Sequence, residues 1–199
     1  MSEDRPRTPL ALVVLSLVAE GPIYPYRMQQ KIKERGKEQV ANVARPNSVY
    51  QTIDALRRAG LIAVRGTSRD ERRPERTVYE ITEEGRRTVQ RWMRTILATP
   101  ERSFPDFPAA LSLLALMEPE DVRRRLEARA EALAARLREL EAPTGDLPRL
   151  FLLEDEYRRA VLRAELDWVR SVVDDLAAGR LTWSEEWVRA VAERLGQLS

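Results

Sequence analysis

Leu61–Arg65 and Thr77–Ile81 read as two short strands, and the polar loop between them, Gly66 to Arg76, carries four arginines: Arg69, Arg72, Arg73 and Arg76. Everything before and after this pair reads as helix. The fold must therefore seat one small hairpin against helices, which excludes sandwiches, barrels and wound parallel sheets. The expected class is mainly α with a small β-wing.

Three helices precede the hairpin. Thr8-Pro9 opens the first, because Thr8 can cap and Pro9 sits where its missing N–H costs nothing. Leu10, Leu12, Val13, Val14, Leu15, Leu17 and Val18 make it apolar nearly all round, so it belongs inside a domain, and Gly21-Pro22 stops it. A second helix is expected over Tyr26–Arg35, with Met28 and Ile32 inward and Lys31, Lys33 and Arg35 outward. The third runs from about Pro46 to Gly60, where Val49, Ile53 and Leu56 fall at i, i+4 and i+7 and form one buried stripe. Its other face offers Asn47, Ser48, Gln51, Thr52, Ala55 and Arg58, short or polar side chains with the chemistry of a helix that reads base edges. After the hairpin, Thr82 caps a fourth helix with Glu83 and Glu84 in its positive first turn, continuing through Val89, Trp92, Met93, Ile96 and Leu97. Helix, helix, helix, strand, strand, helix is the order of a winged helix-turn-helix, expected over residues 1–98.

Pro100, Pro105 and Pro108 break helix between 99 and 108, which reads as a linker. A helical domain is expected over 109–199. Pro119 opens a long helix to about Ala142, with Val122, Leu126, Ala130, Leu133, Leu137 and Leu140 at coiled-coil spacing. The next, Leu150–Ala178, carries two stripes: Leu153, Tyr157, Val161, Ala164, Trp168 and Val172, then Leu162, Leu166, Val169, Val173 and Leu176. Two stripes need two neighbours. One is the preceding helix; the second is most simply a partner subunit, so this half is expected to form a homodimer. Thr182 with Glu185 suggests a capping box for a last helix bearing Trp187, Val188, Val191 and Leu195.

Charge divides along the same line. Residues 1–95 hold 19 Lys and Arg against 12 Asp and Glu, a net of +7, while 96–199 hold 15 against 20, a net of −5. A basic half joined to an acidic one suits a protein with one end on a polyanion such as double-stranded DNA. The 199 residues contain no Cys and no His. Thiolate and imidazole metal sites, disulfides and the commonest general base are thus excluded, and neither enzyme, metal nor cofactor is expected. Consecutive Glu154, Asp155 and Glu156 suit the first turn of a helix better than catalysis. The N-terminal residues lack a secretory pattern and no apolar run is long enough for a bilayer, so a cytoplasmic protein without a membrane partner is expected.

Three blocks then carry a resemblance. Gly21-Pro22-Ile23-Tyr24-Pro25-Tyr26, Ser48-Val49-Tyr50 with Leu56-Arg57-Arg58-Ala59-Gly60-Leu61-Ile62, and Val78-Tyr79-Glu80-Ile81-Thr82-Glu83-Glu84-Gly85 together resemble PadR-like transcriptional regulators over about residues 8–95. Glu165-Leu166-Asp167-Trp168-Val169 is similar to the longer subgroup with a helical C-terminal domain. The resemblance implies a dimeric repressor that leaves a palindromic operator when a small aromatic effector binds. Pro25 and Asn47 depart from it, each standing where the family usually has Gly, which puts in doubt the approach to the second helix and the operator preferred.

The candidate DNA contacts are Asn47, Ser48, Tyr50 and Gln51 on the third helix and Arg69, Arg72, Arg73 and Arg76 on the wing, with Lys31 and Arg45 behind them. Trp92 and Trp168 are candidates for an effector pocket, against the plainer reading of core or interface packing. The alternative function is a winged-helix module that contacts another protein and never DNA.

Overall fold

The computed structural model describes residues 7–39, 41, 47–68, 76–100, 103–141 and 147–196. Contacts divide the chain into two compact units, Met1–Arg102 and Ser103–Ser199.

The first unit is built as α1 (Pro9–Glu20), α2 (Pro25–Glu34), a 3-10 turn at Lys37–Gln39, α3 (Ser48–Arg58), β1 (Ile62–Ser68), β2 (Arg76–Ile81) and α4 (Glu83–Ala98). Thr8 caps α1, its hydroxyl accepting from Ala11 N at 3.1 Å, and Pro9 takes the first helical position. Leu10, Ala11, Val14, Leu15, Leu17 and Val18 of α1 lie in a core shared with Met28 and Ile32 of α2, Val49, Ile53 and Leu56 of α3, Leu61 after it, Ile62 of β1, Ile81 of β2 and Trp92 of α4. Pro25 is accommodated in the same way as Pro9: it opens α2, where no N–H bond is required. The Gly-to-Pro departure therefore fits a regular helix start.

α3 ends in a Schellman turn. Gly60 adopts φ +71°, Leu61 N donates to Leu56 O at 3.0 Å and Gly60 N to Arg57 O at 2.9 Å. The chain passes directly into β1, which pairs antiparallel with β2 from Ile62↔Ile81 to Ser68↔Arg76. β1 runs three residues past its expected end at Arg65. A bulge between Val64 and Gly66 absorbs Arg65 and lets the ladder resume. On its other side β2 bridges Ile23, with reciprocal N–H···O bonds between Ile23 and Tyr79 at 3.0 Å.

α4 begins against this junction. Thr82 caps it by accepting from Gly85 N at 3.0 Å, while Thr82 Oγ1 donates to Gly60 O at 2.8 Å and Thr82 N to Leu61 O at 3.1 Å. A Cβ at Gly85 would stand 2.1 Å from Leu61 O, so no larger residue fits this closeness.

The second unit comprises α5 (Asp106–Leu111), a 3-10 turn at Leu114–Leu116, α6 (Pro119–Leu140), a 3-10 turn at Arg149–Phe151, α7 (Leu153–Ala177) and α8 (Glu185–Gly196). α5 starts inside the segment read as linker, with Pro108 in its first turn, where the amide has no helical acceptor in any case. α6 and α7 form a hairpin around Val122, Leu126, Leu133, Leu137, Leu166 and Val169. Of the two α7 stripes, the one through Leu166 and Val169 meets α6. Most of the other stays outside: Tyr157 is 71% exposed, and Leu153, Val161 and Trp168 are each close to half exposed, while Val172 packs on the hairpin core. α8 is capped by Ser184, whose hydroxyl accepts from Trp187 N at 3.2 Å. The expected Thr182–Glu185 box does not form, because Thr182 lies two residues before the cap. Trp183 gains a structural role, donating from its indole N–H to Met117 O at 2.9 Å and packing on the hairpin core.

Replacing Gly85 by Ala should lower the stability of the first unit by about 3 kcal/mol, the upper end of overpacking costs. Denaturant unfolding followed by circular dichroism measures this. A loss below about 0.5 kcal/mol would show that α4 can retreat from Leu61 freely.

Candidate nucleic-acid interface

α3 is held by its stripe of Val49, Ile53 and Leu56 against α1 and α2, leaving the opposite face to solvent. Asn47 is the residue before the helix. Its carbonyl accepts from Gln51 N at 2.9 Å, but its side chain makes no capping bond, so the amide is available. Gln51 is exposed one turn on. Tyr50 is 46% exposed, which leaves its phenol accessible to solvent rather than packed wholly between helices.

Ser48 departs from the outward placement expected of it. Its Oγ is buried and has no hydrogen-bond partner among the described residues. At the first position of a helix the Cα–Cβ bond tilts back toward the N-terminus, so a short side chain there tucks under rather than out. Asp54 and Arg58, by contrast, are exposed on the same side as Asn47 and Gln51. Asp54, not singled out in the sequence, stands seven residues or two helical turns from Asn47.

Of the wing candidates, Arg69, Arg72 and Arg73 lie outside the described residues, as does Arg45. Arg76 opens β2 opposite Ser68. Lys31 is engaged elsewhere. With Arg35 it binds Glu20 at the end of α1, Lys31 Nζ at 3.0 Å and Arg35 Nη2 at 2.8 Å, pinning α2 to α1. The hydrogen bond from Arg35 is the main cause that holds the Glu20 carboxyl at about 2 against the opposing pull of burial, with Lys31 adding to it.

The two tryptophans belong to different units. Trp92 is 7% exposed within the first core. Trp168 stands edge-on to Phe107, ring centroids 6.3 Å apart at 80°, and Phe107 in turn carries the Arg129 guanidinium 3.5 Å over its ring. Arg129 also binds Glu165, Nε to carboxylate at 2.8 Å. A groove of about 720 Å³ between α6 and α7 is lined by small and charged side chains, Ala130 and Ala134 with Glu127, Glu131, Arg138 and Arg170, and by no aromatic among the described residues.

Residues 14–91, which span α1 to α4 and include both strands, match the transcriptional regulator PadR-like family. Over this region, less than half of its length, the chain is similar to the PadR-like family. Members of the family are transcriptional regulators, not enzymes. Bacillus subtilis PadR in complex with operator DNA shares the fold at a TM-score of 0.65 and 16% identity, over 84% of this chain and 98% of that one. The same protein in complex with p-coumaric acid gives 0.66 at 16% identity, over 85% and 99%. The PadR-like regulator BC1756 from Bacillus cereus gives 0.58 at 16%, over 85% and 99%. Comparison with curated protein sequences finds no match. At 16% identity the structural likeness is one of fold, a PadR-like winged helix followed by a helical second unit.

Because the folded-state pKa of Glu20 is depressed, its ion pairs stabilise the PadR-like unit fully above the ordinary carboxylate value of 4.5 and lose that contribution as pH falls toward about 2. All three side chains are partly exposed, so screening limits the effect to about 1 kcal/mol. Glu20→Gln should flatten the fall in melting temperature over that interval. Melting curves at stepped pH test this, and parallel curves for both proteins would remove Glu20 from the acid response.

Proposed function

We propose that this PadR-like chain is a dimeric, sequence-specific DNA-binding regulator that lays α3 in the major groove. One observation carries the reading: α3 is sealed against α1 and α2 on one face while Asn47 and Gln51 on the other are solvent-facing, amide-bearing and without partners among the described residues. Asparagine and glutamine pair bidentately with adenine N6 and N7. The family match, the +7 charge of residues 1–95 and the operator complex of Bacillus subtilis PadR all support it. Tyr50 is assigned to a phosphate through its hydroxyl. Arg69, Arg72, Arg73 and Arg76 are assigned to phosphate or minor-groove contact by the wing.

Dimerisation is assigned to the outer stripe of α7. Leu153, Tyr157, Val161 and Trp168 line one face of a helix whose other face is already occupied. Buried aromatics contribute about 150–250 Å² each. The stripe, with exposed Leu150 and Phe151 at its start, thus offers several hundred Å² per copy, approaching the roughly 800 Å² per partner of an ordinary stable interface. A two-fold contact of this kind predicts a palindromic site. Repression, and release by a small aromatic acid, extend the reading by way of the p-coumaric acid complex, with Trp92 and Trp168 as built-in fluorescent reporters of such a ligand.

In gel shifts against the DNA upstream of its own gene, the protein should form a specific complex whose affinity falls steeply with salt. Gln51→Ala should cost about 1–3 kcal/mol on that site and leave binding to unrelated DNA unchanged, and Arg72→Ala should reduce the log–log salt slope by about 0.9. Absence of any specific complex at modest salt would favour the protein-contact module instead, as would a protein partner retained after Arg72 and Arg73 are both changed to Glu.

Tyr157→Asp should convert the dimer to a folded monomer in light scattering, because an unpaired carboxylate would then be buried in the seam. An unchanged mass would place the dimer contact elsewhere.

A further inference from the structure

We infer that Asp54 is a base-reading residue that selects cytosine at one position of each half-site, an inference that rests on the DNA-binding reading of α3. Asn47, Gln51, Asp54 and Arg58 follow one another at spacings of four, three and four, which places them in a single row along the exposed side of the helix. From Asn47 to Asp54 the row rises about 10 Å, the length of roughly three base pairs. Three polar side chains thus lie along a stretch of groove about three base-pair steps long.

Asp54 differs from its neighbours in the row by being acceptor-only. Brought to DNA, a carboxylate is repelled by phosphates, so it is tolerated only where a base offers it a hydrogen. Two bases carry an amino donor in the major groove. Adenine sets an N7 acceptor beside its N6 amino group and suits an amide, which donates and accepts together; cytosine presents N4 alone and suits a carboxylate.

The geometry leaves the carboxylate free for this. The Asp54 side chain is 60% exposed, and its ion pair with Arg57 is loose, Nη2 to Oδ1 at 3.8 Å with Arg57 itself more than half exposed. Arg58, one turn on, directs Nε at 3.4 Å to the main-chain carbonyl of Asp54 rather than to its carboxylate. The row therefore combines two adenine-type readers with one cytosine-type reader, which constrains the half-site more tightly than the amides alone.

The test is selection from a pool of duplexes with a randomised core, followed by sequencing, with the full-length protein and two variants. The wild type should enrich C·G at one position per half-site. Asp54→Ala should lose about tenfold or more of that preference, keep the enrichment at the other positions and bind unrelated DNA more tightly for want of the negative charge. Asp54→Asn should move the preference at the same position from C·G to A·T. If wild type and Asp54→Ala enrich identical sequences, or if Asp54→Ala weakens all sequences equally with a lowered melting temperature, Asp54 serves only helix stability and the inference is overturned. Enrichment of nothing by the wild type would overturn the DNA-binding reading itself and this inference with it.

Discussion

The carbonyl oxygen of Leu61 is the point on which the first unit turns. It belongs to the residue whose N–H closes the Schellman turn of α3, accepts from both Thr82 N and Thr82 Oγ1, and sits where a side chain on Gly85 would have to be. Through the two peptide groups of Leu61, α3, β1 and α4 are fixed relative to each other, with the Thr82 hydroxyl bonded between them. Contacts between backbones leave little slack, because peptide geometry is nearly rigid and a shift of 1 Å breaks hydrogen bonds outright. The orientation of the exposed face of α3 relative to the hairpin is thereby set by covalent chemistry and three hydrogen bonds, with the apolar core as filler around them.

Much of this frame was legible in the sequence because its signals are local. Thr8-Pro9, Gly60 and Thr82 each act within four residues of where they stand, and each is found doing so. What was not legible depends on distance or on competition between near neighbours. Ser184 takes the cap of α8 over Thr182 because helix start is decided by which residue leaves its carbonyl free for the first bond, here Ser184 to Val188 N. The extension of β1 to Ser68 required a bulge that a short strand pattern does not announce. In the candidate interface, the outward places of Asn47 and Gln51 followed from helical period. The burial of the Ser48 hydroxyl did not, since it turns on side-chain direction at a helix end.

The two units solve the problem of a core differently. The first closes around residues from all its elements, and its largest apolar side chains are fully enclosed. The second has a six-residue centre confined to two helices and leaves aromatic and aliphatic side chains along α7 in water. A helical hairpin of this kind gains less from burial than its composition allows. The dimer contact proposed for α7 would supply the remaining gain, and would tie the stability of the second unit to protein concentration.

The bulge at Arg65 divides the hairpin unequally. On its inner side, Ile62 and Ile81 belong to the core and Tyr79 is bonded to both neighbours. On its outer side, Gly66 to Ser68 pair with Arg76 to Val78 in the ladder, and Gly66, Thr77 and Val78 lie outside the buried core. Insertions, deletions and exchanges in the outer part leave the inner part in register, since an added residue is absorbed where one already is. The wing is thus the part of the molecule that can drift in sequence without endangering the fold. If it contacts DNA as proposed, new preferences would arise there at little cost to the core that positions α3.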